Sequence, residues 1–187
     1  MAFRKKINND LGVKYSLNDY VLKATAKALK NNKHILVSLD GDQIIKRAHV
    51  NIGMAVALED GLIVPVIKDA DKMSLGEISE AARDLAERAR TNKLSMDEYK
   101  GSTFSISNLG MFGVETFNPI INQPDAGILG VCAVQDELVM DDAGAITKRQ
   151  FMRISFTFDH RLIDGATAAK FELAIRDLME HPMQILL

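Results

Sequence analysis

A histidine and an aspartate stand four residues apart near the end of the chain, in the run FDHRLIDG at residues 158–165. Alternating apolar residues precede this run and a helical pattern follows it, which places His160 just past a strand and Asp164 just before a helix. A histidine presented there by a rigid scaffold can act as a general base near neutral pH. Asp164 has three candidate roles: capping the helix, orienting the loop or balancing a nearby cation. The alternative interpretation is an ordinary loop histidine beside a capping aspartate.

A serine occupies a comparable junction in the run GSTFSISNLGMFG at residues 101–113. A strand pattern leads here into a loop whose glycines let the backbone turn sharply and let a substrate approach closely. Ser107 is therefore a candidate either to donate a hydrogen bond to a developing oxyanion or to act as a nucleophile. A turn serine that bonds to its own backbone is the alternative.

Helices with clear capping signals must position these two segments. Ser16 is a predicted N-cap for a helix that runs to about residue 30, and the capping box that begins at Ser74 opens a helix to about residue 90. The second of these helices places its apolar residues on one face. A last helix is predicted from about residue 165 to 180, whereas residues 1–15 have no clear pattern and form an ordered arm or a frayed end.

Strand patterns alternate with these helices. Two Asp-Gly turns predict hairpins, and Pro65 places the return strand of the second hairpin at an edge or a bulge. Further strands are predicted at 103–107, 126–134 and 151–158. The elements together predict an α/β fold, a two-layer sandwich of a mixed β-sheet with helices on one face.

Composition limits the function classes. With 187 residues, 47% of them hydrophobic, the chain is long enough for one domain with a sizeable core. A net charge of -2 and scattered basic residues argue against nucleic acid as a partner. The single cysteine, Cys132, lies in an apolar run and is expected to be a buried residue of a protein from a reducing compartment. No segment approaches the ~20 apolar residues that span a bilayer, so neither a membrane anchor nor a secretory signal is predicted.

Several motifs together resemble one known family. They are DHRLIDG at 159–165, SNLGMFG at 107–113, FNPIINQP at 117–124, AGILGV at 126–131 and DGLIVPV at 60–66. In these runs the sequence resembles the catalytic domain of dihydrolipoamide acyltransferases, the core components of 2-oxo acid dehydrogenase complexes. The resemblance covers almost the whole chain and implies a fold like that of chloramphenicol acetyltransferase, a structural relative of the family.

The resemblance implies specific roles for the site residues. His160 matches the base that deprotonates the thiol of coenzyme A or of dihydrolipoamide, and Ser107 matches the serine that steadies the tetrahedral oxyanion. Asp164 matches the aspartate that holds the active-site loop through a charge contact. Coenzyme A is a substrate rather than a resident cofactor, no metal is implied, and the residues assigned to coenzyme A binding are Asn108, Gly110 and Arg161.

The resemblance also implies partners and an assembly. Residues 1–187 are expected to form one catalytic domain, trimmed at the N-terminus, with lipoamide arriving on a lipoyl domain that this chain lacks. The expected partners are a 2-oxo acid decarboxylase and dihydrolipoamide dehydrogenase, in the bacterial cytoplasm or the mitochondrial matrix. Homotrimers are expected to assemble into a cage through an apolar C-terminal knob at 182–187, the alternative being that this tail packs on its own domain. In the family the histidine of one subunit faces the serine of its neighbour.

The same residues are also compatible with two other functions, a serine hydrolase and a non-catalytic scaffold. A serine hydrolase would use Ser107, His160 and Asp164 as a triad, although no G-x-S-x-G motif surrounds Ser107. A scaffold could keep the cage fold without catalysis. Within the family, the motifs favour an acetyl-transferring member over a branched-chain one, and a succinyl-transferring enzyme is a further alternative.

Overall fold

Helices and strands alternate along the chain in the computed structural model, which describes residues 1–186. The helices are α1 (Ala2–Leu11), α2 (Leu17–Asn31), α3 (Leu75–Arg90), α4 (Gly165–Glu180) and the short α5 (Met183–Leu186). The strands are β1 (Val37–Asp40), β2 (Gln43–Lys46), β3 (Ile52–Met54), β4 (Val56–Leu58), β5 (Gly61–Ile63), β6 (Val66–Ile67), β7 (Phe104–Asn108), β8 (Gly127–Met140) and β9 (Ile146–Phe158). Short 3-10 turns lie at Lys33–Ile35, Met96–Glu98 and Gly110–Phe112.

The three long helices begin where the sequence predicts. Ser16 and Ser74 each accept a hydrogen bond from the backbone three residues later, at 3.2 Å, and each forms a complete capping box. These caps satisfy backbone amides that have no partner within the helix. The apolar faces of α2, α3 and α4 join the buried strand residues in one core.

The main sheet has the strand order β6-β3-β7-β8-β9. The central strands β3, β7 and β8 are parallel, while the two edge strands β6 and β9 are antiparallel to their neighbours. The predicted mixed sheet and two-layer α/β fold are confirmed.

The second predicted hairpin is divided between two sheets. Its outer part forms the separate pair β4–β5, and its inner part contributes β3 and β6 to the main sheet. Pro65 lies between β5 and β6 and accepts a hydrogen bond from the Met54 amide at 2.8 Å, next to the sheet edge. Because proline has no amide hydrogen, it interrupts the ladder at this point, as the sequence predicts.

Residues 1–15 contain a helix that the sequence pattern does not show. No side chain of α1 is fully buried and only Phe3 and Ile7 among its apolar residues are half-buried, so the helix contributes little to the core. Tertiary contacts stabilise it instead: the Phe3 ring packs edge-on against Tyr20, and Asn8 exchanges two hydrogen bonds with the backbone of Tyr15. Gly12 then ends the helix in the left-handed conformation, at φ 64°.

Strands β8 and β9 extend well beyond the predicted strands as a two-stranded ribbon. Charged residues interrupt the apolar pattern after Val134, which is why the sequence prediction stops there. Cross-strand ion pairs support the extension, because Asp136 pairs with Lys148 at 2.8 Å and Glu137 pairs with Arg153 at 2.6 Å.

The apolar tail packs in part on its own domain. Ile185 is 1% exposed and belongs to the chain's core, while Met183 and Leu186 are exposed. Leu187 lies outside the described residues. Of the side chains described in this tail, Met183 and Leu186 are therefore the apolar ones available to another subunit.

Candidate active site

Ser107 lies in the interior of the sheet, near the carboxyl end of β7. Strands β3 and β8 flank β7 in parallel, and Ser107 is paired with Gly130 of β8. Its side chain is half-buried, and no hydrogen bond engages its hydroxyl within residues 1–186. The alternative of a serine tied to its own backbone is therefore not observed, and the hydroxyl is available to a ligand.

A cavity of about 520 Å³ lies beside Ser107. Apolar side chains from β3, β4 and β7 line part of it, including Met54, Val56 and Ile106. Its exposed cationic residues are Lys14, Arg83 and Arg90. The cavity therefore combines an apolar wall, cationic groups and one unengaged hydroxyl. A larger cavity of about 640 Å³ beside β9 and α4 contains none of the predicted site residues.

Asn108 and Gly110, predicted to bind coenzyme A, have internal partners. The Asn108 side chain donates to Asn18 of α2 at 2.9 Å and accepts from the Gly110 amide at 2.9 Å. A β-carbon on Gly110 would lie 2.7 Å from the Cys132 carbonyl oxygen, so only glycine fits there. Both residues fix the loop after Ser107, and Asn108 also lines the cavity.

His160 lies in a tight turn between β9 and α4. The amides of Leu162 and Ile163 both donate to the Asp159 carbonyl, at 2.9 Å and 3.0 Å, and the Ile163 side chain is buried. The imidazole itself is exposed, and it has no hydrogen bond to any other described residue. Its nearest aromatic neighbour is Phe158, with ring centroids 5.6 Å apart. The turn therefore holds the backbone of His160 and leaves the ring available.

Arg161, the third residue predicted to bind coenzyme A, forms an ion pair beside this histidine. Its guanidinium contacts the Asp159 carboxylate at 2.6 Å, and this hydrogen bond holds the pKa of Asp159 below its ordinary value. The Arg161 side chain is exposed and so remains accessible to a ligand.

Asp164 caps α4, one of the three roles that the sequence leaves open. Its carboxylate accepts from the Thr167 amide at 3.0 Å and from the Thr167 hydroxyl at 2.8 Å. These hydrogen bonds lower the pKa of Asp164. No cation is within ion-pair distance of this carboxylate in the part of the chain that the structure describes.

The strand register separates His160 from Ser107 within one chain. Ser107 is level with Gly130 of β8, and Gly130 is paired with Ser155 of β9. His160 lies five residues beyond Ser155. The three residue steps from Ser155 to Phe158 alone span about 10 Å along β9, and the two strand spacings between β7 and β9 add about 10 Å in the perpendicular direction. Ser107, His160 and Asp164 therefore do not form a hydrolase triad within one subunit.

Sequence reasoning missed two polar groups near Ser107. Asn18 contacts Asn108 from a helix that is 90 positions away, which no local pattern could predict. Asp125 is 4% exposed and binds Ser105, the neighbour of Ser107 on the same face of β7. The alternation of serines in β7 is the one sequence signal that pointed towards this contact.

Residues 1–186 contain no group of three or more histidine, cysteine, aspartate or glutamate side chains placed to hold a metal ion. None of their helices has the length and apolar character required to cross a membrane.

Residues 1–187 match the family described as 2-oxoacid dehydrogenases acyltransferase (catalytic domain). The dihydrolipoyllysine-residue acetyltransferase component of the pyruvate dehydrogenase complex from Zymomonas mobilis is 43% identical over 100% of this chain and 43% of its own length. The dihydrolipoyllysine-residue succinyltransferase component of the 2-oxoglutarate dehydrogenase complex from Rickettsia typhi is 41% identical over 99% of this chain and 46% of its own length. The chain thus spans less than half the length of these relatives.

Solved structures agree with this assignment. The cubic core of a pyruvate dehydrogenase multienzyme complex has a TM-score of 0.90 and 40% identity, covering 100% of this chain and 78% of its own. Dihydrolipoamide acetyltransferase from Azotobacter vinelandii, studied for the role of a serine, a histidine and an asparagine in its catalytic mechanism, has a TM-score of 0.90, 39% identity and the same coverage. A chloramphenicol acetyltransferase, at 13% identity and a TM-score of 0.61 over 94% of this chain and 82% of its own, shares the fold alone, as predicted.

Proposed function

Since this chain belongs to the 2-oxoacid dehydrogenases acyltransferase family as a catalytic domain, we propose that it transfers an acyl group between dihydrolipoamide and coenzyme A. The strongest support from the structure is the unengaged hydroxyl of Ser107, a residue that lines a cavity of about 520 Å³. The exposed imidazole of His160 supplies the second group that the reaction requires. A relative of the same fold has been studied for the catalytic role of a serine and a histidine.

His160 acts as the general base in this proposal. It takes the proton from the attacking thiol, and the sulfur then forms a bond to the thioester carbonyl carbon. A thiol has a pKa of ~8.5, so forming its thiolate at pH 7 costs only about 2 kcal/mol. When the tetrahedral intermediate collapses, the original carbon–sulfur bond breaks and the departing thiolate takes the proton back from His160.

Ser107 stabilises the oxyanion that forms between these two steps. As the carbonyl electron pair moves onto oxygen, the Ser107 hydroxyl donates a hydrogen bond to it. One donor of this kind contributes roughly 3–4 kcal/mol to transition-state stabilisation. Asp164 caps α4 and so orients the turn that carries His160, a positional role that its bonds to Thr167 support.

We further propose that two subunits share the active site. The register places His160 and Ser107 too far apart to act together within one chain, so each needs its counterpart from a neighbour. A trimer that builds into a cage would provide that neighbour, in keeping with the cubic core of the similar complex. The exposed side chains of Met183 and Leu186 are candidates for contacts between trimers.

Coenzyme A suits the cavity beside Ser107. Its phosphates complement Lys14, Arg83 and Arg90, and its less polar arm complements the apolar wall. The lipoyl group would arrive on a lipoyl domain, with a 2-oxo acid decarboxylase and dihydrolipoamide dehydrogenase as further partners. We propose acetyl as the transferred group on the sequence motifs, while curated relatives include both acetyl- and succinyltransferases.

A thiol-to-thiol transfer assay tests this function. Purified protein is incubated with acetyl-dihydrolipoamide and coenzyme A, and acetyl-coenzyme A is measured. We expect transfer that requires both thiols, with succinyl-dihydrolipoamide as the competing donor. Hydrolysis without coenzyme A would support a serine hydrolase instead, and the absence of transfer from either donor by assembled protein would leave a scaffold role.

A further inference from the structure

A carboxylate is buried next to the strand that carries Ser107. Asp125 is 4% exposed, and its carboxylate accepts hydrogen bonds from the hydroxyls of Ser102 at 2.8 Å and Ser105 at 2.6 Å. Burial raises the pKa of Asp125, and the two hydroxyls oppose that rise. Burial of a carboxyl group is unfavourable, and even a well-bonded one is weak evidence for net stability. A contribution to stability therefore does not explain why the Asp125 carboxylate is buried.

The cluster is linked directly to Ser107. Ser105 and Ser107 are two residues apart on β7, so both side chains point to the same face of the sheet. Because the two residues belong to one short strand, a displacement of Ser105 should also displace Ser107.

The loop at residues 117–125, which lies over this face beside Gly130, is held by the same cluster. Asn122 donates from its side chain to the Ser105 hydroxyl at 3.3 Å, and its carbonyl accepts from the Asp125 amide at 3.0 Å. At the start of the loop, the Phe117 carbonyl accepts from the Ser155 hydroxyl of β9 at 2.7 Å. The loop is thus tied to β7 through Asp125 and to β9 through Ser155.

The residues after Asp125 lead to the second candidate catalytic segment. The Ala126 carbonyl accepts from the Asp159 amide at 2.8 Å, and Gly127 is paired with Phe158. Asp159 begins the turn that contains His160. One backbone junction at residues 125–127 therefore contacts both the Ser107 strand and the His160 turn.

We propose that Asp125 is a positioning residue that fixes the Ser107 strand and the His160 turn in one relative orientation, through Ser102, Ser105 and the backbone of Ala126. The proposal rests on the acyl-transfer function proposed above. Asp125 is not in contact with the cavity and so acts on the reaction only through these neighbours.

The variant Asp125→Asn tests the proposal because it keeps the size of the side chain and removes one of its two acceptor oxygens. We expect kcat to fall by about 10- to 100-fold while the KM values for both thiols stay within about threefold, since small displacements of catalytic groups reduce the rate of the chemical step. Leu178→Ala is the matched control, because Leu178 is a buried core residue of α4 away from this cluster. This control should lower thermal stability at least as much and leave kcat within about twofold.

A double-variant cycle separates positioning from a general loss of stability. Because Asp125 acts through Ser107 as well as through the His160 turn, Asp125→Asn should reduce kcat by a smaller factor in a Ser107→Ala background than in the wild-type protein. Hydrogen exchange provides a readout that is independent of activity, and amides of residues 105–108 and 159–163 should exchange faster in Asp125→Asn but not in Leu178→Ala. If Asp125→Asn does not fold, Ser105→Ala removes one hydroxyl from the cluster and should show the same pattern at smaller size.

The outcomes distinguish this inference from the proposed function. If the wild-type protein transfers acyl groups but Asp125→Asn matches Leu178→Ala in kcat and in exchange, the positioning role is overturned. Full multiplication of the two losses in the double variant would also overturn it. If the wild-type protein transfers no acyl group, the proposed function fails, and unchanged exchange at both segments would then reject the structural link separately.

Discussion

Ser107 and His160 are held in opposite ways. Ser107 lies on an interior strand, and its position depends on two neighbouring strands and on a loop that follows it by ten residues or more. His160 lies past an edge strand, in a turn whose hydrogen bonds join residues no more than four positions apart, except where the Asp159 amide at its start bonds to Ala126. Long-range contacts therefore fix the serine, and largely local contacts fix the histidine.

This difference determines which distant changes each residue can tolerate. Substitutions at many remote positions can move Ser107 through the sheet, whereas the His160 turn should respond mainly to its own residues and to the junction at residues 125–127. It also explains why a short motif at 159–165 is informative by itself, while the serine segment is convincing only together with the sequence runs around it.

Substitution of His160 should reduce kcat more than any other single substitution proposed for the two regions. His160→Ala should lower kcat by ~10²–10⁴-fold and leave coenzyme A binding nearly unchanged, because the base is lost while the cavity beside Ser107 stays intact. Steady-state kinetics and calorimetric titration with coenzyme A measure the two quantities. His49→Ala, which removes another exposed histidine, should retain wild-type kcat. Near-normal turnover by folded His160→Ala protein would end the assignment.

On the serine side, Ser107→Ala should lower kcat by ~10²–10³-fold with little change in KM, because the hydrogen bond to the oxyanion exists only near the transition state. The exposed Ser95 supplies a control, since Ser95→Ala changes a surface turn away from the sheet. Mass spectrometry of protein quenched during turnover should find no acyl group on Ser107. A trapped acyl-serine would instead support the nucleophile role.

The sequence predicts the regular parts of the fold because their signals are local. The caps at Ser16 and Ser74, the Asp-Gly turns and the edge position implied by Pro65 all appear as expected. Helix α1 and the ribbon of β8 and β9 beyond Val134 escape prediction because tertiary contacts and cross-strand ion pairs stabilise them with few buried apolar side chains.

For the candidate site, the sequence likewise predicts the local features and not the long-range contacts. The groups proposed for its chemistry, His160 and Ser107, stand out by type and by position at strand ends. The contacts of Asn108 with Asn18, and of Asp125 with Ser105, join elements that are distant along the chain and leave no periodic trace in it. The separation of His160 from Ser107 follows from strand register, which sequence patterns do not give.

Mixing the two inactive variants tests whether the two regions meet across an interface. His160→Ala and Ser107→Ala subunits, co-refolded, should exceed the average activity of the two pure variants severalfold. In a mixed trimer some interfaces pair an intact His160 with an intact Ser107, whereas neither pure variant has any such interface. Subunit exchange is verified by native mass spectrometry of labelled chains. Activity equal to the average despite exchange would place both residues in one chain.

The smallest expected effect concerns Asp164 and tests how self-contained the His160 turn is. Asparagine is as good an N-cap as aspartate, so Asp164→Asn should keep Tm at pH 7 within about 1–2 °C of wild type, while Asp164→Ala should lower it by about 2–4 °C. Because Thr167 lowers the pKa of Asp164 in the folded protein, its ionised form adds stability that is present above the unfolded-state pKa of ~3.9 and lost as pH falls through the folded value. The Tm advantage of wild type over Asp164→Asn should therefore shrink below about pH 4. If Asp164→Asn is as unstable as Asp164→Ala at pH 7, charge rather than capping holds the turn, and a cation from a neighbouring subunit becomes the partner to seek.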